Sequence, residues 1–142
     1  MNYLLDTNVV SELHKSRRAD RNVLRWAAAI SVSDCYLSAV TLTELEVGVL
    51  LMERRDPVQG ARLRGWFELE LHPRFEGRIL FVDEPVARCC ARLHVPDPKP
   101  AHDAFIAATA IVHGLAVATR NTADFAAMGV ALVDPWTPSA RA

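Results

Sequence analysis

Four carboxylates stand out by position: Asp6, Glu44, Asp103 and Asp124. Each falls in a strand-to-helix turn or in the first turn of an expected helix. Each also has an ordinary explanation. Asp6 and Asn8 sit where N-caps sit, and Asp and Asn are preferred there. Glu44 follows Thr41 by three residues, the spacing of a capping box. Asp103 and Asp124 would favour their helix dipoles, an effect of about 0.3–1 kcal/mol apiece. Gathered in one place, the four read differently. Two carboxylates about 4 Å apart repel by roughly 4 kcal/mol at an effective dielectric of 20. Three or four together require protonation or a cation. Oxygen-only ligands favour Mg²⁺ or Mn²⁺. Such an ion activates water and clamps a phosphodiester, so the chemistry in prospect is metal-dependent phosphoryl transfer.

The elements that would gather them can be read in outline. Tyr3-Leu4-Leu5 is a short apolar run that stops at Asp6, as a buried strand delivering one carboxylate would. A helix is expected over residues 8–14, a polar loop over 15–19, and a second helix capped by Asp20. Residues 35–40 read as the second strand. After Thr41-Leu42-Thr43-Glu44 comes a helix containing Gly48, where a close backbone neighbour is expected. Asp56-Pro57 starts another helix, which ends near His72-Pro73; the pair looks like a helical hairpin inserted between strands. Residues 78–82 form the third strand, and Asp83-Glu84-Pro85 opens a helix to about Leu93. Residues 94–100 hold three prolines and form a loop. Residues 101–112 form a helix with no charge after Asp103, expected to be buried nearly all round. Residues 116–118 and 131–133 are the last strands, separated by a short helix that Asn121 and Asp124 would cap. The tail from residue 134 reads as loose.

Strands alternating with helices argue a parallel sheet covered on both faces. In such a sheet the strand-to-helix turns collect on one edge, which would bring Asp6, Glu44 and Asp124 together. Asp103 joins them only if its helix starts at that edge. The 142 residues suit one domain, 1–142, with no internal repeat.

Composition narrows the class. Hydrophobic residues make up 51% and charged residues 23%, an ordinary globular balance. No run is long enough to span a membrane, and no secretory leader is visible. Cys35, Cys89 and Cys90 read as reduced, buried thiols of a cytoplasmic protein rather than a zinc site. Net charge is −1, so bulk basicity does not announce nucleic acid. The best local basic patch is His14-Lys15-Ser16-Arg17-Arg18 with Arg21 and Arg25. It suits phosphate, or simply a solvated helix end. His102 adjoins Asp103, Ser11 and Ser38 lack a base partner, and there is no Gly-rich phosphate loop.

Taken together, Leu4-Leu5-Asp6-Thr7-Asn8, Glu44-Leu45-Glu46-Val47-Gly48, the stretch from Asp103 to Ala110, and Thr119-Arg120-Asn121-Thr122-Ala123-Asp124-Phe125 resemble the motifs of the PIN-domain family, in the family's order. The opening Asp-Thr-Asn-Val-Val-Ser-Glu-Leu further resembles the VapC and FitB-like branch, toxins of type II toxin–antitoxin pairs. The resemblance implies an α/β, PIN-like fold: a five-stranded parallel sheet flanked by helices on both faces. It implies Mg²⁺ or Mn²⁺ bound by Asp6, Glu44, Asp103 and Asp124, with Asn8, Thr119 and Asn121 supporting the site. It implies endoribonuclease cleavage by metal-activated water, on tRNA or ribosomal RNA in many members. It also implies a homodimer, partly through residues 41–75, and a VapB-like antitoxin that blocks the acidic pocket and carries the complex to operator DNA. Phe105 stands where a smaller aliphatic residue is common.

Three other readings compete. A binding module would hold an antitoxin and tune operator binding without cleaving RNA. A structure-specific DNA nuclease would use the same metal site. A phospho-receiver-like domain would need an acceptor aspartate at a later strand end, where only Asp83 stands, and no lysine supports it.

Overall fold

In the computed structural model, which describes residues 1–138, the opening apolar run forms β1 (Tyr3–Leu5) at the centre of a five-stranded sheet. The other strands are β2 (Cys35–Ser38), β3 (Ile79–Leu80), β4 (Ala116–Ala118) and β5 (Leu132–Val133). Their order is β3-β2-β1-β4-β5, and every neighbouring pair is parallel. Tyr3 pairs with Cys35 on one side and Ala116 on the other. Parallel neighbours need crossovers, and helices supply them. α1 (Thr7–His14) and α2 (Arg21–Ala28) join β1 to β2; α3 (Ala39–Arg55), α4 (Pro57–Trp66) and α5 (His72–Arg74) join β2 to β3. α6 (Glu84–Leu93) and α7 (Ala101–His113) lead into β4, and α8 (Thr122–Phe125) into β5. This is the parallel α/β architecture expected from the sequence.

Successive residues of a strand face opposite sides of the sheet. Leu4 and Val117 accordingly enter one core cluster, with Val86, Ile106 and Phe125. Leu5 and Ala118 enter the other, with Val9, Leu37, Val49 and Phe67. β1 and β4 are therefore buried on both faces. Burying each larger side chain contributes about 1.5–3 kcal/mol.

Several boundaries differ from expectation, each for a local reason. α3 starts at Ala39 because the Ser38 hydroxyl accepts the Val40 amide at 3.0 Å and caps it. The strand ends there, and the Thr41–Glu44 capping box does not form. Thr41 lies fully buried in the first turn; among the described residues its hydroxyl is the one buried side-chain polar atom without a partner. β3 covers Ile79–Leu80 rather than residues 78–82. Its neighbour β2 turns into α3 at Ser38, the partner of Leu80, so Phe81 and Val82 find no strand to pair with and are exposed. α7 is buried through Ala110 but presents Ile111 and Val112 to solvent.

The close backbone approach is at Gly60, not Gly48. A Cβ on Gly60 would stand 2.4 Å from Glu53 Cα, whereas Gly48 has open space. That contact seats α4 on α3 in the expected hairpin, and Arg64 ties it to Glu46 at 2.6 Å and Glu53 at 3.0 Å. The segment after β5 is docked, not loose, through its described part. Pro135 is buried, and Trp136 packs against the Leu5 cluster. Its amide donates to Asp134 at 2.9 Å, and its carbonyl accepts from Asn22 of α2 at 2.9 Å. An indole buries large apolar area, which outweighs the flanking prolines. Residues 139–142 of that expected tail lie outside the described residues.

The three cysteines are free and buried. Burial pushes the Cys35 thiol up to about 11, so it stays protonated. Among the described residues, no helix is long and apolar enough to cross a membrane.

Candidate active site

The strand order reverses at β1: β2 and β3 lie on one side, β4 and β5 on the other. In open parallel sheets a crevice forms at such a switch point, beyond the carboxyl ends of the strands. Asp6 follows β1 and Thr119 follows β4, so both stand at this crevice.

Asp6 is only 6% exposed, and Thr119 is fully buried. The Thr119 hydroxyl donates to Asp6 Oδ2 at 2.8 Å, and the Thr7 amide donates to Asp6 Oδ1 at 2.8 Å. Asn8 Nδ2 donates to Thr119 Oγ1 at 3.3 Å and approaches Asp6 Oδ2 at 3.5 Å. Asn8 Oδ1 accepts the Arg120 amide at 3.3 Å. Thr119 Oγ1 also accepts the Asn121 amide at 3.0 Å. One donor and two acceptor sites exhaust a hydroxyl, so Thr119 is saturated. Asn8 and Thr119 thus touch Asp6 or its partner directly. Asn121 joins through its backbone. Its side chain makes no capping bond, so the expected Asn121–Asp124 cap pair does not form. Instead the Asp124 amide donates to the Asn121 carbonyl at 3.1 Å.

Thr7 links two acids. Its amide holds Asp6, and its hydroxyl donates to Glu44 Oε1 at 3.0 Å. This residue was missed in the sequence, where it reads as filler between Asp6 and Asn8. The other Glu44 oxygen lies 3.9 Å from Nδ1 of His102, an exposed residue of the first turn of α7.

Asp103 reaches the same edge for a topological reason. α7 ends at Gly114, whose φ of 68° reverses the chain into β4. A helix that returns directly into a strand runs antiparallel to it, so α7 starts at the carboxyl edge of the sheet. The electrostatics agree. Burial raises the Asp103 carboxyl above its ordinary range, and the charges of Asp6, Asp124 and Glu44 raise it further; only His102 opposes them. Burial also raises Asp6, outweighing the hydrogen bonds from Thr119 and Thr7, with Asp124 adding to the rise. Asp103 thus lies in the field of the other three acids, and the exposed Asp124 also acts on Asp6.

The donor set is all oxygen and carries excess negative charge, which fits a hard divalent cation. Among the described residues, no three His, Cys, Asp or Glu side chains stand close enough to form a ready-made ligand shell. Mg²⁺ commonly takes one or two carboxylates directly and keeps several waters, so the looser spacing fits a hydrated ion.

Asp83 does a different job, capping α6 by accepting the Val86 amide at 3.2 Å. A cavity of about 360 Å³ is mostly apolar, lined by Val10, Leu13, Trp26, Trp66 and Phe75 among others, and holds none of the four acids. A smaller one, about 150 Å³, includes Thr7 and Glu44.

A switch-point crevice in a five-stranded parallel sheet, with Asp6 at its edge and Asp103 in the field of Asp6, Glu44 and Asp124, defines an acidic α/β site. The sequence profile of the PIN domain matches residues 3–130, and the chain belongs to that family. It is 43% identical over 141 residues to Toxin FitB of Neisseria gonorrhoeae, covering 94% of this chain and 97% of that one. It is 39% identical over 143 residues to VapC ribonuclease Y4jK of Sinorhizobium fredii, covering 96% and 99%. A solved structure of FitAB bound to the IR36 DNA fragment superposes with a TM-score of 0.89 at 36% identity, covering 99% of both chains.

Proposed function

We propose that the chain is a Mg²⁺-dependent endoribonuclease, with Mn²⁺ as a substitute ion, acting as the toxin of a toxin–antitoxin pair in the cytoplasm. The observation that carries this reading is the Thr7 bridge between Asp6 and Glu44 at the switch-point crevice, with Asp103 in the field of the other three acids. Asp6 and Asp103 would hold the cation, with Glu44 and Asp124 completing its acidic surround. When bound, the ion would lower the pKa of a water and neutralise charge on a phosphodiester. The chain's own residues supply the geometry. Thr119 and the Thr7 amide fix both Asp6 oxygens, and the Thr7 hydroxyl aims Glu44 at the same centre. Asn8 and the Asn121 amide lock Thr119 in turn. Such locking of ligand orientation is what metal sites depend on.

The relative named as a VapC ribonuclease supports RNA, such as tRNA or ribosomal RNA, as the substrate class. The FitAB–DNA structure supports a VapB-like antitoxin as partner, and operator DNA reached through it. The apolar cavity of about 360 Å³ offers such a partner a seat for a hydrophobic side chain. Val47, Leu50 and Leu51 share one face of α3 and are 47%, 49% and 62% exposed, which supports a homodimer built on the α3–α4 hairpin.

The test uses the purified chain, freed of any partner. It is incubated with total RNA in Mg²⁺ or in EDTA, beside a folded Asp6→Asn variant. Discrete fragments from wild type in Mg²⁺ alone are expected. Intact RNA in every lane, from folded protein that binds Mg²⁺, would refute the nuclease and leave an antitoxin-holding module.

A further inference from the structure

Arg64 pairs with Glu46 and Glu53 of α3, Arg88 with Glu84 one turn away on α6, and Arg78 donates to backbone carbonyls. Arg54, Arg55, Arg62, Arg74 and Arg92 are exposed and, among the described residues, make no ion pair, but lie on α3, α4, α5 and α6. Arg17, Arg18, Arg21, Arg25 and Arg120 are exposed, and among the described residues none of them makes an ion pair. Acids are not lacking nearby, but each is already engaged. Glu12 holds Lys15 at 2.9 Å and the Asp20 amide at 2.7 Å, and Arg120 acts on it only through its field. Asp20 accepts the Asn22 and Val23 amides as the cap of α2, and Asp134 accepts the Trp136 amide.

Contacts join Arg120 to the acidic site on one side and, through Trp136, to Asn22 of α2, the helix that carries Arg21 and Arg25, on the other. The Arg120 amide bonds Asn8, which bonds Thr119 and approaches Asp6. The Arg120 guanidinium lies over the Trp136 ring, 5.2 Å from its centroid. The Trp136 carbonyl is held by Asn22, next to Arg21 and one turn before Arg25 on α2.

We infer that Arg120 on Trp136, together with Arg21 and Arg25, forms a docking strip for the backbone of single-stranded RNA beside the acids. This rests on the ribonuclease reading above. A polyanion does not approach four carboxylates unaided; cations beside them must grip the phosphates that flank the cleaved one. Guanidinium forks match phosphate oxygens, whereas ammonium groups act as point charges. The indole, packed against the Leu5 cluster and covered by Arg120, serves as the platform that holds the guanidinium beside the crevice. Its place beside an oxygen-rich site that fits a divalent ion favours a phosphodiester backbone over an acidic peptide.

The experiment measures binding without cleavage. Fluorescein-labelled oligouridine is titrated with the full chain in EDTA at several salt concentrations. Arg120→Gln is expected to weaken binding at least about fivefold, and to lower the slope of log affinity against log salt by about 0.7, the value for one single-strand phosphate contact. The double variant Arg21→Gln/Arg25→Gln should lower the slope by about twice that. Arg88→Gln, on α6, should change neither. Trp136→Leu, if folded by circular dichroism, should weaken binding as Arg120→Gln does, because the guanidinium loses its platform. Wild-type affinity and slope in both arginine variants would overturn the strip, even where wild type cleaves RNA in Mg²⁺ and the nuclease reading stands. Arginine-dependent binding by a chain that cleaves nothing would sustain the strip and sink the nuclease. Arginine-dependent binding of polyglutamate, with oligouridine unaffected, would reassign the surface to an acidic protein and overturn the inference.

Discussion

Thr119→Val should be among the most disruptive near-isosteric changes in the chain. Valine fills the same volume, so the effect isolates one hydroxyl. That hydroxyl is fully buried, donates to Asp6 at 2.8 Å, and accepts from Asn121 at 3.0 Å and Asn8 at 3.3 Å. Losing a hydrogen bond to a charged group costs about 1.5–3 kcal/mol, and a neutral one about 0.5–1.5. Asn8 can turn toward Asp6, which it already approaches at 3.5 Å, and the Asn121 amide lies near solvent, so part is recovered. The net loss should be about 2–4 kcal/mol, or a fall in Tm of roughly 6–14 °C for a chain of this size. Thr119→Ser keeps the hydroxyl and should lose about 1 kcal/mol for the methyl group. The pH dependence carries a sign. The Thr119 bond lowers the Asp6 pKa, opposing the rise due to burial. Without it the folded carboxyl rises further, while the unfolded one is unchanged. The gap in stability between wild type and Thr119→Val should therefore be full at neutral pH. It should narrow as pH falls through the two folded pKa values, because a protonated Asp6 no longer needs the bond. Thermal or urea unfolding in EDTA across that range measures it. A Thr119→Val chain no less stable than Thr119→Ser at neutral pH would refute the argument.

Asp103→Asn should raise the stability of the metal-free chain at neutral pH, since it removes a carboxylate that burial and three neighbouring acids hold up; melting in EDTA would reveal the gain. The same variant should lose both Mg²⁺-induced stabilisation and RNA cleavage, and retained cleavage would remove Asp103 from the metal site. Gly60→Ala places a Cβ 2.4 Å from Glu53 Cα and should cost about 1–3 kcal/mol by forcing α4 off α3, whereas Gly48→Ala, with open space around it, should stabilise slightly. If the proposed homodimer uses the exposed face of α3, Leu51→Glu should yield a monomer by light scattering, with the melting temperature falling as the partner's stabilisation is lost; a dimer unchanged from wild type would place the interface elsewhere.

Much of this was legible in the sequence because strand ends here are abrupt. Leu5 is 3% exposed, and the next residue is the buried acid, so the boundary between core and chemistry falls between adjacent letters. Asp103 was legible only conditionally, because its place depends on the reversal at Gly114 and on which edge α7 starts from. The Thr7–Glu44 bond was not legible. Its partners are 37 residues apart, and nothing local marks a threonine after an aspartate as a bridge. The capping box at Thr41 misled for a related reason: Ser38 offered an earlier cap, and side-chain competition for the same amides is settled by the end of β2. Trp136 was missed because its prolines suggested a free end, while the surface that holds it is assembled from Asn22 and Arg120, remote in sequence.

Capping and chemistry began as rival explanations of Asp6, and the structure makes them one. The carboxylate accepts the Thr7 amide at the start of α1, as a cap does, yet burial holds its pKa up. A cap in open solvent would carry its charge freely; here burial, and to a lesser degree Asp124, oppose the charge that the bonds from Thr119 and Thr7 favour. Oδ2 takes Thr119 at 2.8 Å and the longer contact from Asn8 at 3.5 Å, while Oδ1 takes only the Thr7 amide and retains a further lone pair. The helix start therefore fixes the orientation of Asp6 without exhausting its capacity to bind a cation. The repulsion that Asp103 meets from its acidic neighbours is what a divalent ion would relieve, so the proposed metal binding should also stabilise the fold.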